Sequence, residues 1–111
     1  MRQTVQCISP VDGSVHAERP LAGDRTVRAA LASAREAQAK WAQTPIAERA
    51  AYCGKAVDAM LSMTDEIVPE LAWQMGRPVA YGAGELRGFA ERARYMIEIA
   101  QECLAPIDPG P

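Results

Sequence analysis

The sequence has few aromatic residues, a single histidine and almost no net charge. Aromatic side chains make up 5% of the 111 residues, and 12 basic side chains stand against 14 acidic ones, for a net charge of −2. A near-neutral chain lacks the strongly basic face with which proteins bind phosphate backbones irrespective of base sequence. We therefore expect no nucleic-acid partner, and the length limits the chain to one domain.

Long apolar runs are also missing. The uninterrupted apolar stretches are only a few residues long, far short of the roughly 20 residues that span a bilayer. The segment after Met1 contains no apolar region of the signal-peptide kind. These features predict a cytoplasmic protein with no membrane partner.

The three cysteines, Cys7, Cys53 and Cys103, are widely spaced and form no Cys-x-x-Cys pair. An odd number at such spacings indicates neither a disulfide framework nor a zinc site. We expect reduced, partly buried thiols, inert on the apolar helix faces that carry Cys53 and Cys103 and more accessible at Cys7. The histidine, His16, has no ligand or catalytic partner nearby in the sequence, so we expect an ordinary strand histidine.

Alanine is the abundant residue. Apolar residues make up 49% of the chain, and 21 of its residues are alanines. Because an alanine side chain buries little surface, this composition predicts a thin core. Stability is then expected to depend on helix propensity, or on a larger body against which the chain packs.

The start of the chain predicts a β-hairpin. Two short extended runs, Val5 to Ile8 and Ser14 to Glu18, flank Val11-Asp12-Gly13, and the Asp-Gly pair supplies the positive φ that a tight turn requires. Pro10 and Pro20 lack an N–H to donate and therefore fit strand ends or an edge.

A helical periodicity replaces this pattern after Gly23. Apolar residues then recur at three- and four-residue steps, which predicts amphipathic helices. The predicted fold is mainly α with an N-terminal β-hairpin: a hairpin over residues 4–19, helices over 24–104 and a Pro-rich extended end over 105–111.

Capping residues mark the predicted helix ends. Thr44 precedes Pro45 and is expected to cap the second helix, and Thr64 is expected to cap the third. Gly76 is expected to end the third helix in the left-handed conformation. The fourth helix is predicted from about Val79 to Leu104.

The fourth helix carries glycines and charges that need an explanation. Gly82, Gly84 and Gly88 each weaken a helix by ~1 kcal/mol relative to alanine. They do not follow a predicted strand and lack the spacing of a dinucleotide-binding or Walker motif, so close helix packing or a nearby cavity accounts for them better. The charged residues from Glu85 to Arg94 are expected to form i,i+4 pairs on a solvated face. The residues alone thus indicate no self-contained active site.

Four short motifs, in order along the chain, resemble segments of the aldehyde dehydrogenase superfamily. Between the first two lies an Ala-rich helix, Asp24 to Trp41, which resembles the family's first helix. The motifs span nearly the whole chain and are Ile8 to Val15 (ISPVDGSV), Pro45 to Ala50 (PIAERA), Met75 to Pro78 (MGRP) and Arg94-Tyr95.

The resemblance implies that residues 1–111 are the N-terminal part of the cofactor-binding domain of a longer enzyme. That parent would be an α/β protein with a Rossmann-type cofactor domain and would form a homo-oligomer. It would oxidise an aldehyde to an acid with NAD or NADP, through attack by a cysteine thiolate, hydride transfer and thioester hydrolysis.

In that family the nucleophilic cysteine, the general-base glutamate, the asparagine of a P-W-N motif and the Gly-rich cofactor turn all lie downstream of this segment. The resemblance therefore assigns no catalytic and no cofactor-binding residue to this chain. Alone, the chain is expected to bind no cofactor and to be inactive, with the rest of the dehydrogenase as its partner.

Two further expectations come from the resemblance. Family members hold a monovalent cation through a main-chain oxygen near the hairpin, here about Ile8, and through a carboxylate at the position where this sequence has Gln74. The first half of the fourth helix borders the family's substrate tunnel, which would place Glu85, Gly88 and Phe89 near its mouth.

Two other interpretations remain open: a free-standing helical protein-interaction module and a structural truncation product. A reading frame that continues to a P-W-N motif favours the enzyme, whereas a stop codon favours the module or the truncation product. A segment removed from a larger fold must leave apolar stripes uncovered, at Val27 to Trp41 or at Leu86 to Leu104.

Overall fold

A computed structural model describes residues 3–107 and 109–110. Two strands and four helices follow one another as β1 (Thr4–Ile8), β2 (Val15–Pro20), α1 (Asp24–Trp41), α2 (Ile46–Ser62), α3 (Thr64–Met75) and α4 (Val79–Cys103). The predicted hairpin and helices are confirmed. The Pro-rich end predicted over 105–111 includes Asp108 and Pro111, which lie outside the described residues. Within the described ranges, no helix is both long enough and apolar enough to cross a membrane.

The hairpin closes through a loop built on Ser9. The Ser9 N–H donates to the Ser14 carbonyl at 2.8 Å, its carbonyl accepts the Gly13 N–H at 2.9 Å, and its hydroxyl accepts the Val11 N–H at 3.2 Å. Gly13 has a φ of +77°, as the Asp-Gly turn predicts. The Ser14 hydroxyl and N–H both donate to Asp12, and these bonds hold the pKa of the Asp12 carboxyl below its usual range.

The start of α2 differs from the prediction. Pro45 occupies the cap position with φ −54° and ψ 146°, and no side chain caps this terminus. The Pro45 carbonyl accepts the Arg49 N–H at 3.0 Å. Thr44 is therefore not the predicted cap, because the extended proline takes that place and leaves the threonine one residue too far from the helix.

The junction of α2 and α3 also differs from the prediction. The two helices are separated by Met63 alone, so Thr64 already lies inside α3. Its hydroxyl donates backwards to the Leu61 carbonyl at 2.5 Å, which satisfies the end of α2 instead of the start of α3. The end of α3 is as predicted: Gly76 has a φ of +73°, and its N–H donates to the Ala72 carbonyl at 2.9 Å.

The core lies where α4 packs against α2 and α3. Its buried apolar side chains are Val57 of α2 and Leu86 and Ala90 of α4, which are 3 to 7% exposed. Gly82 is also buried, and a Cβ there would lie 2.6 Å from Cγ1 of Val68 in α3. Close helix packing, as predicted, explains this glycine.

α1 adds no buried residue to this core. It meets α2 through the rings of Trp41 and Tyr52, whose centroids are 5.7 Å apart. The radius of gyration is 19.3 Å, whereas a compact domain of this length has about 13 Å. The chain is open, and the stripe from Val27 to Trp41 is uncovered as expected. On α4 the expectation is wrong for Leu86, which α2 and α3 bury.

The ion pairs of α4 join other segments of the chain. Arg94 donates to Asp58 of α2 at 2.6 Å, and Glu85 pairs with Arg77 in the turn before α4. No i,i+4 pair of α4 is among the ion pairs of the described ranges, and two of the charged residues, Glu85 and Arg94, bind partners outside α4 instead. All four partners are at least 42% exposed, so each pair contributes little to stability.

Candidate functional site

A β-bulge in the hairpin turns His16 towards α3. The strands are antiparallel, with Cys7 opposite Ala17 and Ile8 opposite Val15, so His16 has no partner in the register. An extra residue of this kind bends its strand and changes the direction of its side chain. The bulge therefore frees the imidazole to contact a helix.

His16 is held by two residues of α3. Its ring stacks on Trp73, with centroids 6.0 Å apart and an interplanar angle of 4°. Its Nε2 lies 2.9 Å from Oε2 of Glu70, and Gln74 donates its amide nitrogen to the same oxygen at 2.6 Å. We call His16, Glu70, Trp73 and Gln74 the hairpin clasp.

Hydrogen bonding within the hairpin clasp lowers the pKa of the Glu70 carboxyl below its usual range. The bond from His16 is the largest cause, and the bond from Gln74 is the second. Because both bonds favour the ionised form, Glu70 is a stable carboxylate at neutral pH. His16 was expected to be an ordinary strand histidine without partners. Its contact with Glu70 spans 54 residues, and no local spacing in the sequence indicates it.

Of the two residues expected to hold a cation, Gln74 belongs to the hairpin clasp and Ile8 lies at the end of β1. Cys7, next to Ile8, donates its thiol to the main-chain oxygen of Gln74 at 3.7 Å. The Gln74 side chain turns its nitrogen to Glu70, and an amide N–H does not coordinate a cation that takes oxygen ligands. The Gln74 side-chain nitrogen thus does not suit a cation, and the site at Ile8 and Gln74 stays a prediction.

The residues expected at the tunnel mouth are Glu85, Gly88 and Phe89. Gly88 and Phe89 follow Glu85 by three and four residues, so both lie next to it on the surface of α4. Glu85 is bound to Arg77. Apart from its chain neighbours and the nearby backbone of α4, no described atom lies within 4 Å of the place that a Cβ at Gly88 would take. Phe89 is 42% exposed and lines a groove between α2 and α4. All three border open space, and their tunnel role stays a prediction.

The glycines of α4 do not form a phosphate-binding loop. Gly82, Gly84 and Gly88 all lie inside the helix, where backbone N–H groups bond to carbonyls one turn earlier. Phosphates are held instead by the free N–H groups of a loop or a helix start. These glycines therefore do not fit a nicotinamide cofactor.

The apolar groove between α2 and α4 has a volume of about 530 Å³. Arg49 is the one charged residue in its lining, and its Nε is buried without a hydrogen-bond partner in the described part of the chain. The apolar residues that form its walls include Trp41, Ile46, Cys53, Phe89, Met96 and Leu104.

The predicted accessibility of the cysteines is wrong. Cys53 and Cys103 are exposed, and Cys7 is half-buried. Cys53 is reachable because it lines the open apolar groove, whereas Cys7 lies against α3 through its bond to Gln74. Its thiol donates to a carbonyl, an arrangement that does not activate a nucleophile.

Comparison with known proteins covers almost the whole chain. The family model described as "Aldehyde dehydrogenase family" matches residues 1–107. A vanillin dehydrogenase of Corynebacterium glutamicum is 42% identical over 69 residues, which are 62% of this chain and 14% of that protein. A glutarate-semialdehyde dehydrogenase of Pseudomonas putida is 25% identical over 108 residues, 97% of this chain and 22% of that protein.

A solved structure is similar over the full fold. The crystal structure of an NAD-dependent benzaldehyde dehydrogenase from Corynebacterium glutamicum matches with a TM-score of 0.84 and 29% identity. The match covers 98% of this chain and 24% of that one. This chain thus spans a quarter or less of the length of these three proteins. The family match over residues 1–107 shows that the chain belongs to the aldehyde dehydrogenase family.

Proposed function

We propose that residues 1–111 are the N-terminal part of the cofactor-binding domain of a longer enzyme, here called the parent polypeptide. The parent is an NAD(P)-dependent aldehyde dehydrogenase, a cytoplasmic homo-oligomer that oxidises an aldehyde to a carboxylic acid. The observation that carries this proposal is the similarity over 98% of the chain, with a TM-score of 0.84, to an NAD-dependent benzaldehyde dehydrogenase. The open apolar faces support a part of a larger body over a free-standing interaction module.

The role of this segment in the parent is structural. NAD or NADP would accept the hydride from the aldehyde carbon, and the residues that bind it lie elsewhere in the parent. The segment contributes α4 as a packing centre and holds the hairpin on α3 through the hairpin clasp. None of Cys7, Cys53 and Cys103 takes the role of the catalytic cysteine in this proposal.

Reduction of NAD and NADP by the parent polypeptide, measured by absorbance across a panel of aliphatic and aromatic aldehydes, tests this function. We expect reduction that depends on both aldehyde and parent. The 111-residue chain, assayed at the same concentration, serves as the matched control and is expected to reduce neither cofactor. A folded parent that is inert towards every aldehyde with both cofactors would contradict the proposal, and native mass spectrometry of the parent checks its oligomeric state.

We also propose that Glu85, Gly88 and Phe89 border the substrate tunnel of the parent, a role supported by the open space beside Gly88. Gly88→Val would narrow that space. We expect a higher KM for bulky aldehydes than for small ones, with the KM for the cofactor unchanged. Gly54→Val is the control, because Gly54 also lies inside a helix with nothing near its Cβ position. Equal effects of both substitutions on every KM would contradict the tunnel role.

A further inference from the structure

We propose that the apolar groove between α2 and α4 is closed by a later segment of the parent polypeptide, and that this segment brings a carboxylate to the guanidinium of Arg49. The inference rests on the proposed function, because it takes the chain to be part of a longer dehydrogenase. Beyond that function, it specifies which surface of the chain is covered, which segment covers it and which chemical groups meet there.

The exposed area requires a large covering partner. A compact monomer of this mass exposes about 6,000 Å², whereas this chain exposes 9263 Å². The excess of about 3,300 Å² lies on one partner alone, and it is larger than the roughly 1,000 to 2,500 Å² that each partner buries in an obligate interface. The apolar groove is part of this surplus, since Phe89 is 42% exposed and Met96 and Leu104 are each 61% exposed. A surface of this size and composition is stable in water only when another part of a protein covers it.

Arg49 indicates the chemistry of the occupant. Its Nε is buried without a hydrogen-bond partner, and it forms no salt bridge within residues 3–107 and 109–110. A buried guanidinium donor without an acceptor is costly, and the planar fork of arginine matches a carboxylate in two parallel bonds. Among the described residues, the remaining lining of the apolar groove offers no carboxylate. A carboxylate on the segment that closes the groove would supply this acceptor.

The same observation argues against a second copy of this chain as the occupant. A two-fold interface through the apolar groove would place the same lining on both sides. Arg49 would then face a surface that carries another Arg49 and, among the described residues, no Asp or Glu. A segment of the parent does not place a second Arg49 in the groove. Its covalent attachment also gives it a high effective concentration there. About three quarters of the similar benzaldehyde dehydrogenase lies outside the matched region, so ample chain exists for this role.

Cys53 is a natural probe of the apolar groove, because it lines the groove and is exposed while the groove stays open. The test is alkylation of the native parent polypeptide with N-ethylmaleimide, followed over time by peptide mass spectrometry. We expect Cys53 to react at least about tenfold more slowly in the native parent than in the urea-denatured parent. Equal rates would show that the groove is open and would overturn the inference.

The role of Arg49 is tested by Arg49→Met, which keeps a long apolar stem and removes the guanidinium. Hydrogen bonds to charged groups are strong enough that we expect Cys53 alkylation to accelerate by about tenfold or more. Arg92→Met is the matched control, since Arg92 is an exposed residue of α4 that does not line the groove. Equal acceleration in both variants would overturn the pairing of Arg49 with a carboxylate. If Arg49→Met fails to fold, Arg49→Lys tests the same point through a smaller acceleration.

Dilution and activity distinguish the remaining outcomes. Protection by a segment of the same polypeptide is independent of concentration, whereas protection by a second copy or another protein disappears as the sample is diluted, which would overturn the assigned occupant. Aldehyde-dependent reduction of NAD(P) with an unprotected Cys53 would refute this inference alone. A protected Cys53 in a parent without dehydrogenase activity would refute the proposed function and leave the closed groove standing.

Discussion

The imidazole of His16 lies parallel to the indole of Trp73, with ring centroids 6.0 Å apart. This contact, together with the bond from His16 to Glu70, joins the β-hairpin to α3. The bulge that removes His16 from the strand register makes the contact possible. The hairpin is therefore held to the helices by side chains of one bulged residue and one helical turn.

We expect His16→Ala to lower the free energy of unfolding of the parent polypeptide by about 1 kcal/mol, the contribution of a stacked aromatic pair. His16→Phe is the matched control, because it keeps the stacking on Trp73 and removes the bond to Glu70. Urea unfolding followed by circular dichroism measures both variants. A His16→Phe variant as unstable as His16→Ala would show that the stacking adds nothing.

The lowered pKa of Glu70 predicts how the hairpin clasp responds to acid. The ordinary pKa of this carboxyl is 4.5, and the folded value lies below it. The stability that the bonded carboxylate contributes is therefore complete above pH 4.5 and is lost as the pH falls through the folded pKa. We expect the difference in unfolding free energy between wild type and Glu70→Gln to shrink as the pH falls below 4.5. A difference that grows on acidification would contradict this sign.

A second titration isolates the cause of that shift. His16→Phe removes the largest of the causes that lower the pKa of Glu70, so we expect the Glu70 pKa to rise in this variant. The pKa of Asp12 is lowered mainly by its bonds with Ser14 and should change little. NMR titration of the side-chain carboxyl carbons measures both groups in one sample. A similar rise at both carboxyls would indicate a general electrostatic effect in place of the specific bond.

Local chemistry makes part of this fold predictable from the sequence. The Asp12-Gly13 turn and the left-handed Gly76 need a positive φ that glycine adopts at little cost, and the sequence places glycine at both points. The 3.6-residue period indicates the helices, and it puts Leu86 on the apolar face of α4 that α2 and α3 bury.

The remaining features depend on how separate elements of the chain pack against one another. The bond between His16 and Glu70 exists only after the hairpin docks on α3, so no spacing within either segment indicates it. The sequence predicts Thr64 as a helix cap, but its hydroxyl donates instead to a carbonyl at the adjoining end of α2. Cys53 lies on an apolar helix face as predicted, yet it is exposed because no described part of the chain covers the apolar groove.

Gly82 is predicted to be intolerant of any side chain. A Cβ at this position would lie 2.6 Å from Cγ1 of Val68, a stiff β-branched residue. Alanine would gain about 1 kcal/mol of helix propensity, and overpacking costs about 1–3 kcal/mol. The overpacking cost less the propensity gain leaves a net loss, and we expect Gly82→Ala to lower the free energy of unfolding of the parent by up to about 2 kcal/mol, measured by urea unfolding.

Two further variants separate overpacking from other effects at Gly82. Gly54→Ala, in α2 with nothing within 4 Å of the new Cβ, should raise the stability by up to about 1 kcal/mol. Val68→Ala combined with Gly82→Ala should recover part of the loss, since it removes the methyl group that the new Cβ meets. If the double variant loses more stability than the two single variants lose together, overpacking is not the cause.

Gly76 combines a positive φ with a close neighbour, and its replacement is expected to be costlier than that of Gly13. Both glycines have a φ above +70°, so alanine at either one costs about 1–2 kcal/mol of backbone strain. A Cβ at Gly76 would also lie 3.1 Å from Cγ of Pro10, whereas a Cβ at Gly13 meets nothing within 4 Å. Urea unfolding of the parent should therefore give a larger loss of stability for Gly76→Ala than for Gly13→Ala. Replacing Pro10 by alanine removes that Cγ. In this background the losses of stability caused by Gly76→Ala and Gly13→Ala should become similar. A gap that persists without Pro10 would show that the contact of the hairpin loop with the end of α3 is not its cause.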